Sequence, residues 1–229
     1  MTKLRQKFFL AVLAVLVVLT PFHLQANQGN DLTVFQVKIV ADQFYRNKFT
    51  ADKQSQADSL ENWKKDLIEL IDCANQELQK QGAKVKLEIV EIAEWEISEE
   101  KKLTMLEALR DLLNKISDDN YDLIIGITNK EFPPTEQVSG YQWENFILVK
   151  DNSHLVLKNE GWRRENKKSA TLLILLHEIG HFLGLEHSDK EESIMHATSL
   201  GSKFLKEEIE LINKNAPKIK KLKSNANPK

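Results

Sequence analysis

His177-Glu178-Ile179-Gly180-His181-Phe182-Leu183-Gly184-Leu185-Glu186-His187 packs three histidines, a glutamate between the first two, and two glycines into one short stretch. Residues four apart on a helix share a face, so His177 and His181 can turn their imidazoles toward one point. Gly184 marks where such a helix ends sharply, because glycine accepts a positive φ without penalty. The chain can then swing back and return His187 as a third nitrogen donor. Three neutral imidazoles leave one corner of a tetrahedral Zn²⁺ open, as a catalytic zinc requires. Glu178 follows His177 directly and can act as general base on water at that corner. Zinc lowers the pKa of such a water from ~15.7 to about 7.

The residues just before the motif set its environment. Ser169 to Gly184 is apolar nearly all round through Leu172-Leu173-Ile174-Leu175-Leu176, which predicts a helix running through the interior. Three imidazoles and a carboxylate on such a helix are costly to bury without a shared partner. Five fixed positions at background frequencies should recur by chance on the order of once in 10⁵ chains of this length. The alternative of merely hydrogen-bonded core histidines is therefore the weaker reading.

Working outward, Leu32 to Val40 alternates and is rich in β-branched residues, so it predicts a strand. Asp42 to Asp58 is polar and irregular and predicts a surface loop. From Ser59, residues Leu60, Trp63, Leu67, Leu70, Ile71, Ala74 and Leu78 fall at helical spacing, and Gly82 can end that helix. Val85 to Ile92 alternates as a second strand. Ser98 opens another expected helix, with Leu103, Leu106, Leu109, Leu113 and Ile116 on its buried face. Tyr121 to Thr128 is a nearly continuous apolar run, which suits a strand covered on both sides. Strand, helix, strand, helix, strand implies a mostly parallel sheet. After Pro133-Pro134, short strands are expected near Val138 to Trp143 and Phe146 to Val149. A third apolar stretch, His154 to Leu157, reads as strand or loop. A last helix is expected from about Ser202 to Asn213.

Beyond His187 comes Ser193-Ile194-Met195-His196. Together with H-E-x-x-H-x-x-G-x-x-H, this resembles the metzincin metalloproteases, whose signature adds a methionine-bearing turn after the third histidine. Ser188 and the short spacer to Met195 look most like the matrixin group. The resemblance is tight over roughly Ser169 to Leu200. It implies an α+β fold, a single metzincin-like catalytic domain whose twisted, mostly parallel sheet carries an antiparallel edge strand. It further implies Zn²⁺ as cofactor on His177, His181 and His187, Glu178 as the catalytic residue, and Met195 as an apolar floor that does not touch the metal. His196 and Ala197 would border the pocket for the side chain after the cut, within a wall formed by roughly His196 to Gly201. Some metzincins carry a tyrosine where Ala197 stands, so that role is vacant. Matrixins are typically held latent by a cysteine in a P-R-C-G-x-P-D stretch. None is present, and Cys73 sits in Ile71-Asp72-Cys73-Ala74.

Domain limits come from the two ends. Lys3, Arg5 and Lys7 precede the apolar run Phe8 to Leu19, and Ala26 offers a small residue for cleavage. That pattern predicts a secretory signal peptide over 1–26 and a secreted or periplasmic protein, with no membrane association after cleavage. Removing it would leave 29 basic against 34 acidic residues, a net charge of -5. Nothing in that balance suggests nucleic acid. The zinc protease domain is expected over 27–215 and a flexible lysine-rich tail over 216–229. Cys73 is the only cysteine, so a disulfide within the chain is excluded.

These features predict a zinc metalloendopeptidase acting on protein or peptide. Three rival readings share the motif. One is a zinc hydrolase acting on cell-wall peptides or amides. Another is an idle secreted binding protein that keeps the fold. The third is a structural zinc site, which would need a fourth protein ligand.

Overall fold

The computed structural model describes residues 32–49, 56–99, 103–116, 120–133, 138–151, 169–198 and 201–226. Five strands form its framework: β1 (Thr33–Asp42), β2 (Val85–Trp95), β3 (Leu123–Thr128), β4 (Gly140–Trp143) and β5 (Phe146–Lys150). They lie in the order β2-β1-β3-β5-β4. All neighbours are parallel except β4, which runs antiparallel to β5 along one edge. The helices are α1 (Gln43–Asn47), α2 (Gln56–Lys80), α3 (Met105–Lys115), α4 (Ser169–Phe182) and α5 (Lys206–Ala226).

Side chains alternate across each strand, so the sheet has a core on either side. Phe35, Val37 and Ile39 of β1 and Ile125 and Ile127 of β3 join α2, α4 and α5 in the larger core. Val40, Ile124 and Leu148 face the other way, against α3. Strand β2 switches faces partway. Val37 pairs with Ile89 but Lys38 pairs with Glu91, leaving Val90 as an extra residue. A one-residue bulge inverts every side chain beyond it. Val85 and Leu87 therefore enter the larger core, whereas Trp95 enters the smaller one and donates its indole N–H to Asp111 at 3.0 Å.

Three expectations need correction. The stretch after β1 is not wholly loop: Asp42, buried at its end, accepts the Tyr45 amide at 2.7 Å and caps the short α1. Helix α3 begins at Met105 rather than Ser98, because Thr104 and Glu107 form a reciprocal capping box. Its buried face is accordingly Met105, Ala108, Leu109 and Leu112, and Leu106 is largely exposed. The third concerns the expected tail. Helix α5 continues through Pro217 to Ala226, so 216–226 is helical. Proline removes one helical hydrogen bond, but Ile212 and Ala216 are fully buried before it and Ile219 packs on the core after it. Farther along, Lys220 pairs with Asp122, which also accepts the Gln36 amide. Packing on both sides of the proline keeps the helix whole.

Helix α4 occupies the interior as its composition requires. Leu172 to Leu176 are all buried, each contributing roughly 1.5–3 kcal/mol. That anchorage holds the helix in place while it carries His177 and Glu178 below the surface. The signal-peptide pattern and the 154–157 stretch lie outside the described residues. Among the described residues no helix is long and apolar enough to cross a membrane.

Candidate metal centre

Helix α4 ends in a turn built by Gly184, whose φ is +83°. The Gly184 amide donates to His181 O and the Leu185 amide to Gly180 O, both at 2.9 Å. This pair of bonds is the Schellman arrangement, which satisfies carbonyls that a helix end leaves open. Asn215 of α5 closes the same end, donating its side-chain N–H to Leu183 O at 3.1 Å. The turn reverses the chain and brings His187 to the helix face that carries His177 and His181.

The three rings converge. His181 Nε2 lies 3.1 Å from His177 Nε2 and 3.2 Å from His187 Nε2. His177 Nδ1 lies 2.7 Å from Ile194 O, and His181 Nδ1 lies 2.9 Å from Leu185 O. A carbonyl only accepts, so both Nδ1 atoms must carry the proton. The Nε2 atoms of His177 and His181 then present lone pairs to each other. Lone pairs at that separation repel, and a shared cation removes the conflict. Nitrogens bound to tetrahedral zinc at ~2.0–2.1 Å stand about 3.3–3.4 Å apart, close to the spacing here. The three histidines can therefore hold one metal ion, and their donor set fits zinc.

Burial has prepared the rings for that role. It pushes the pKa of His177 down to about 4, with neighbouring His181 and His187 adding to the effect. His181 is also held below the ordinary histidine range, again chiefly by burial. Neutral imidazole, the form that ligates, is thus favoured. Glu178 is affected oppositely: burial alone pushes its carboxyl up to about 8.

These shifts give the metal-free chain a distinctive pH response. His177 binds fewer protons folded than unfolded, so its contribution is full above about pH 6.5 and is lost as pH falls toward 4. Glu178 binds more protons folded, so its contribution is full below about 4.5 and is lost as pH rises toward 8. Between 4.5 and 6.5 the two slopes oppose each other, and above 6.5 only the glutamate slope remains. The metal-free chain should lose stability between about pH 6.5 and 8, and Glu178→Gln should flatten that decline. Urea unfolding across this range measures it directly.

Met195 is fully buried. A β-carbon on Gly180 would overlap its sulfur, so the glycine inside the motif is required for the methionine to sit there. The Met195 amide donates to Ser193 Oγ at 2.9 Å, and Ser193 Oγ donates to Glu208 of α5 at 2.7 Å. Met195 O in turn accepts the Ser188 amide at 2.9 Å, pinning the turn to the strand-like segment after His187. His196 is half-buried and Ala197 exposed, and His196 Nδ1 accepts the Thr198 amide at 3.3 Å. Glu178 lies on the side of α4 facing β4. The structure thus gathers His177, His181 and His187, with Met195 packed against Gly180 of the same helix. The carbonyls of Ile194 and Leu185 were not foreseeable as partners, because any residue offers a carbonyl. Nor does residue type single out Asn215 and Glu208, whose partners Leu183 and Ser193 are distant in sequence.

Gly184→Ala should cost about 1–2 kcal/mol, since a side chain disfavours the left-handed conformation. The added β-carbon would also crowd Asn215 Nδ2, 2.9 Å away. Thermal unfolding with and without zinc should show the larger loss in the zinc-loaded chain, whose third ligand depends on this turn.

A mostly parallel sheet with one antiparallel edge, an interior helix bearing two histidines, a third after a glycine turn, and a buried methionine against that helix define a zinc metallopeptidase of the metzincin class. The matrixin family model matches residues 25–222, and the chain belongs to that family. No curated protein sequence matches it. Among solved structures, one similar fold is the archaemetzincin of Methanopyrus kandleri, at 17% identity and TM-score 0.54, covering 83% of this chain and 98% of that one. Another, described as a chaperone-substrate complex, has 15% identity and TM-score 0.56 over 83% of this chain. The chain spans only 35% of that protein's length. At these identities the likeness is one of fold.

Proposed function

We propose that this protein is a secreted zinc endopeptidase in which His177, His181 and His187 hold the metal and Glu178 is the general base. The observation that carries the reading is the convergence of three Nε2 atoms, with two Nδ1 atoms committed to carbonyls. When bound, zinc would polarise a carbonyl and make water acidic enough to react near neutral pH.

The remaining chemistry belongs to the chain. Glu178 accepts a proton from the water that attacks the scissile carbonyl carbon. The C–N bond then breaks, and Glu178 returns the proton to the leaving nitrogen. Its buried setting suits a group that must both take and give a proton, since burial moves its pKa toward working pH. Ile194 O and Leu185 O hold the two rings in the tautomer that leaves Nε2 free. Among the described residues strand β4 is the sheet edge, the side on which an extended peptide would add as a further strand. That geometry supports cleavage within a chain rather than removal of a terminal residue. Residues around His196 and Ala197 border the pocket for the side chain after the cut. The basic start, apolar run and Ala26 support export with removal of 1–26.

An unbiased peptide library incubated with the zinc-loaded chain is the test. Internal cleavage that stops with chelator and returns with zinc is expected. Release of terminal residues alone, or cleavage insensitive to chelator, would contradict the proposal.

A further inference from the structure

We infer that Gly140, on the edge strand β4, is a positioning residue for Glu178: its lack of a side chain fixes where the carboxylate rests. An ideal β-carbon at 140 would stand 2.8 Å from both Glu178 Cγ and Ile174 Cγ2, and closer still to Glu178 Oε1. Non-bonded carbon atoms sit comfortably at about 3.5–4.0 Å, so even alanine would force a shift. Conformation is not the reason for glycine here. The positive-φ glycines among the described residues are Gly82 and Gly184, and Gly140 is not one of them. Space is the reason.

A second observation points the same way. Glu178 is buried, and among the described residues its carboxyl takes part in no side-chain hydrogen bond. A side chain without such a bond takes its direction from the walls around it. Among the described residues, Gly140 and Ile174 stand on one side of it. Ile174 precedes Glu178 by one helical turn and is itself buried, so it cannot yield. An alanine at 140 would have to displace either the carboxylate or the strand. Both matter if Glu178 is the general base and β4 pairs with the substrate, so the functional part of this inference rests on the reading above. One glycine then sets both the base and the rail along which the peptide lies.

Two measurements on the full chain test this. The first is a thermal-unfolding cycle on the metal-free protein, with Gly140→Ala in the native and Glu178→Ala backgrounds. Alanine in a strand ordinarily stabilises relative to glycine. The inference requires the opposite in the native background, a loss on the order of 5 °C in Tm. In the Glu178→Ala background the loss should be markedly smaller, the remainder coming from the contact with Ile174. If Gly140→Ala alone fails to fold, the double variant must fold. The second is kcat and KM of zinc-loaded Gly140→Ala on one cleaved peptide. Here kcat should fall roughly 100-fold, the scale of an ångström misplacement, with KM little changed and zinc still one per chain. Equal Tm changes in both backgrounds would overturn the inference, as would coupled Tm changes with native kcat. Failure of the general-base reading would appear elsewhere, as native turnover in Glu178→Ala alone, and the Tm cycle does not depend on turnover.

Discussion

Glu178→Ala is expected to bind zinc at one per chain, unfold no more readily than the native protein, and hydrolyse peptide roughly 10²–10⁴-fold more slowly, the range a positioned general base supplies. The side chain is buried and its carboxyl sits at about 8, so the metal-free protein tolerates it at a cost in stability near neutral pH. Removing it should therefore relieve a strain of desolvation while abolishing proton transfer. A variant both more stable without metal and nearly inactive with it is the signature of a residue kept for chemistry. Turnover is measured on a fluorogenic peptide and metal content by mass spectrometry. Native turnover would remove Glu178 from the mechanism, and loss of zinc would make it part of the metal's binding instead.

His187→Ala is expected to have the larger effect on metal. Loss of an outer partner of a ligand typically weakens binding 10–100-fold, and loss of the ligand itself should exceed about 100-fold. His187 is also the exposed member of the three, reached only through the Gly184 turn and its Asn215 brace. Metal-free stability should change little, because an exposed ring leaves no cavity when truncated. The zinc-dependent rise in Tm should largely disappear. Titration against a competing chelator gives the affinity. Native affinity in this variant would place the third nitrogen elsewhere.

Much of this was legible before any coordinates, for a physical reason. Spacing within one helix is rigid, so His177, Glu178 and His181 state their own geometry, and Gly184 announces the turn that returns His187. The alternation of Leu32 to Val40 and the unbroken apolar run ending at Thr128 likewise fixed a half-covered and a fully covered strand. What resisted reading was long-range or silent in residue type. Val90 gives no sign of being the bulge that turns Trp95 toward the smaller core. Helix α5 was cut short because proline is a strong local signal against helix, and the tertiary packing of Ala216 and Ile219 outweighs it. Gly140 falls within the strand expected near Val138 to Trp143 and carries no local sign of a role, which shows only when Glu178 from another element lies against it.

The central claim is that three imidazole nitrogens of this chain surround one zinc and leave a corner free. X-ray absorption at the zinc edge on the purified, zinc-loaded protein measures this most directly. The account predicts a first shell of three imidazole nitrogens with light oxygen completing it, at ~2.0–2.2 Å, and one imidazole fewer in His187→Ala. A sulfur scatterer from Cys73 or Met195, or a native spectrum unchanged by the loss of His187, would contradict it.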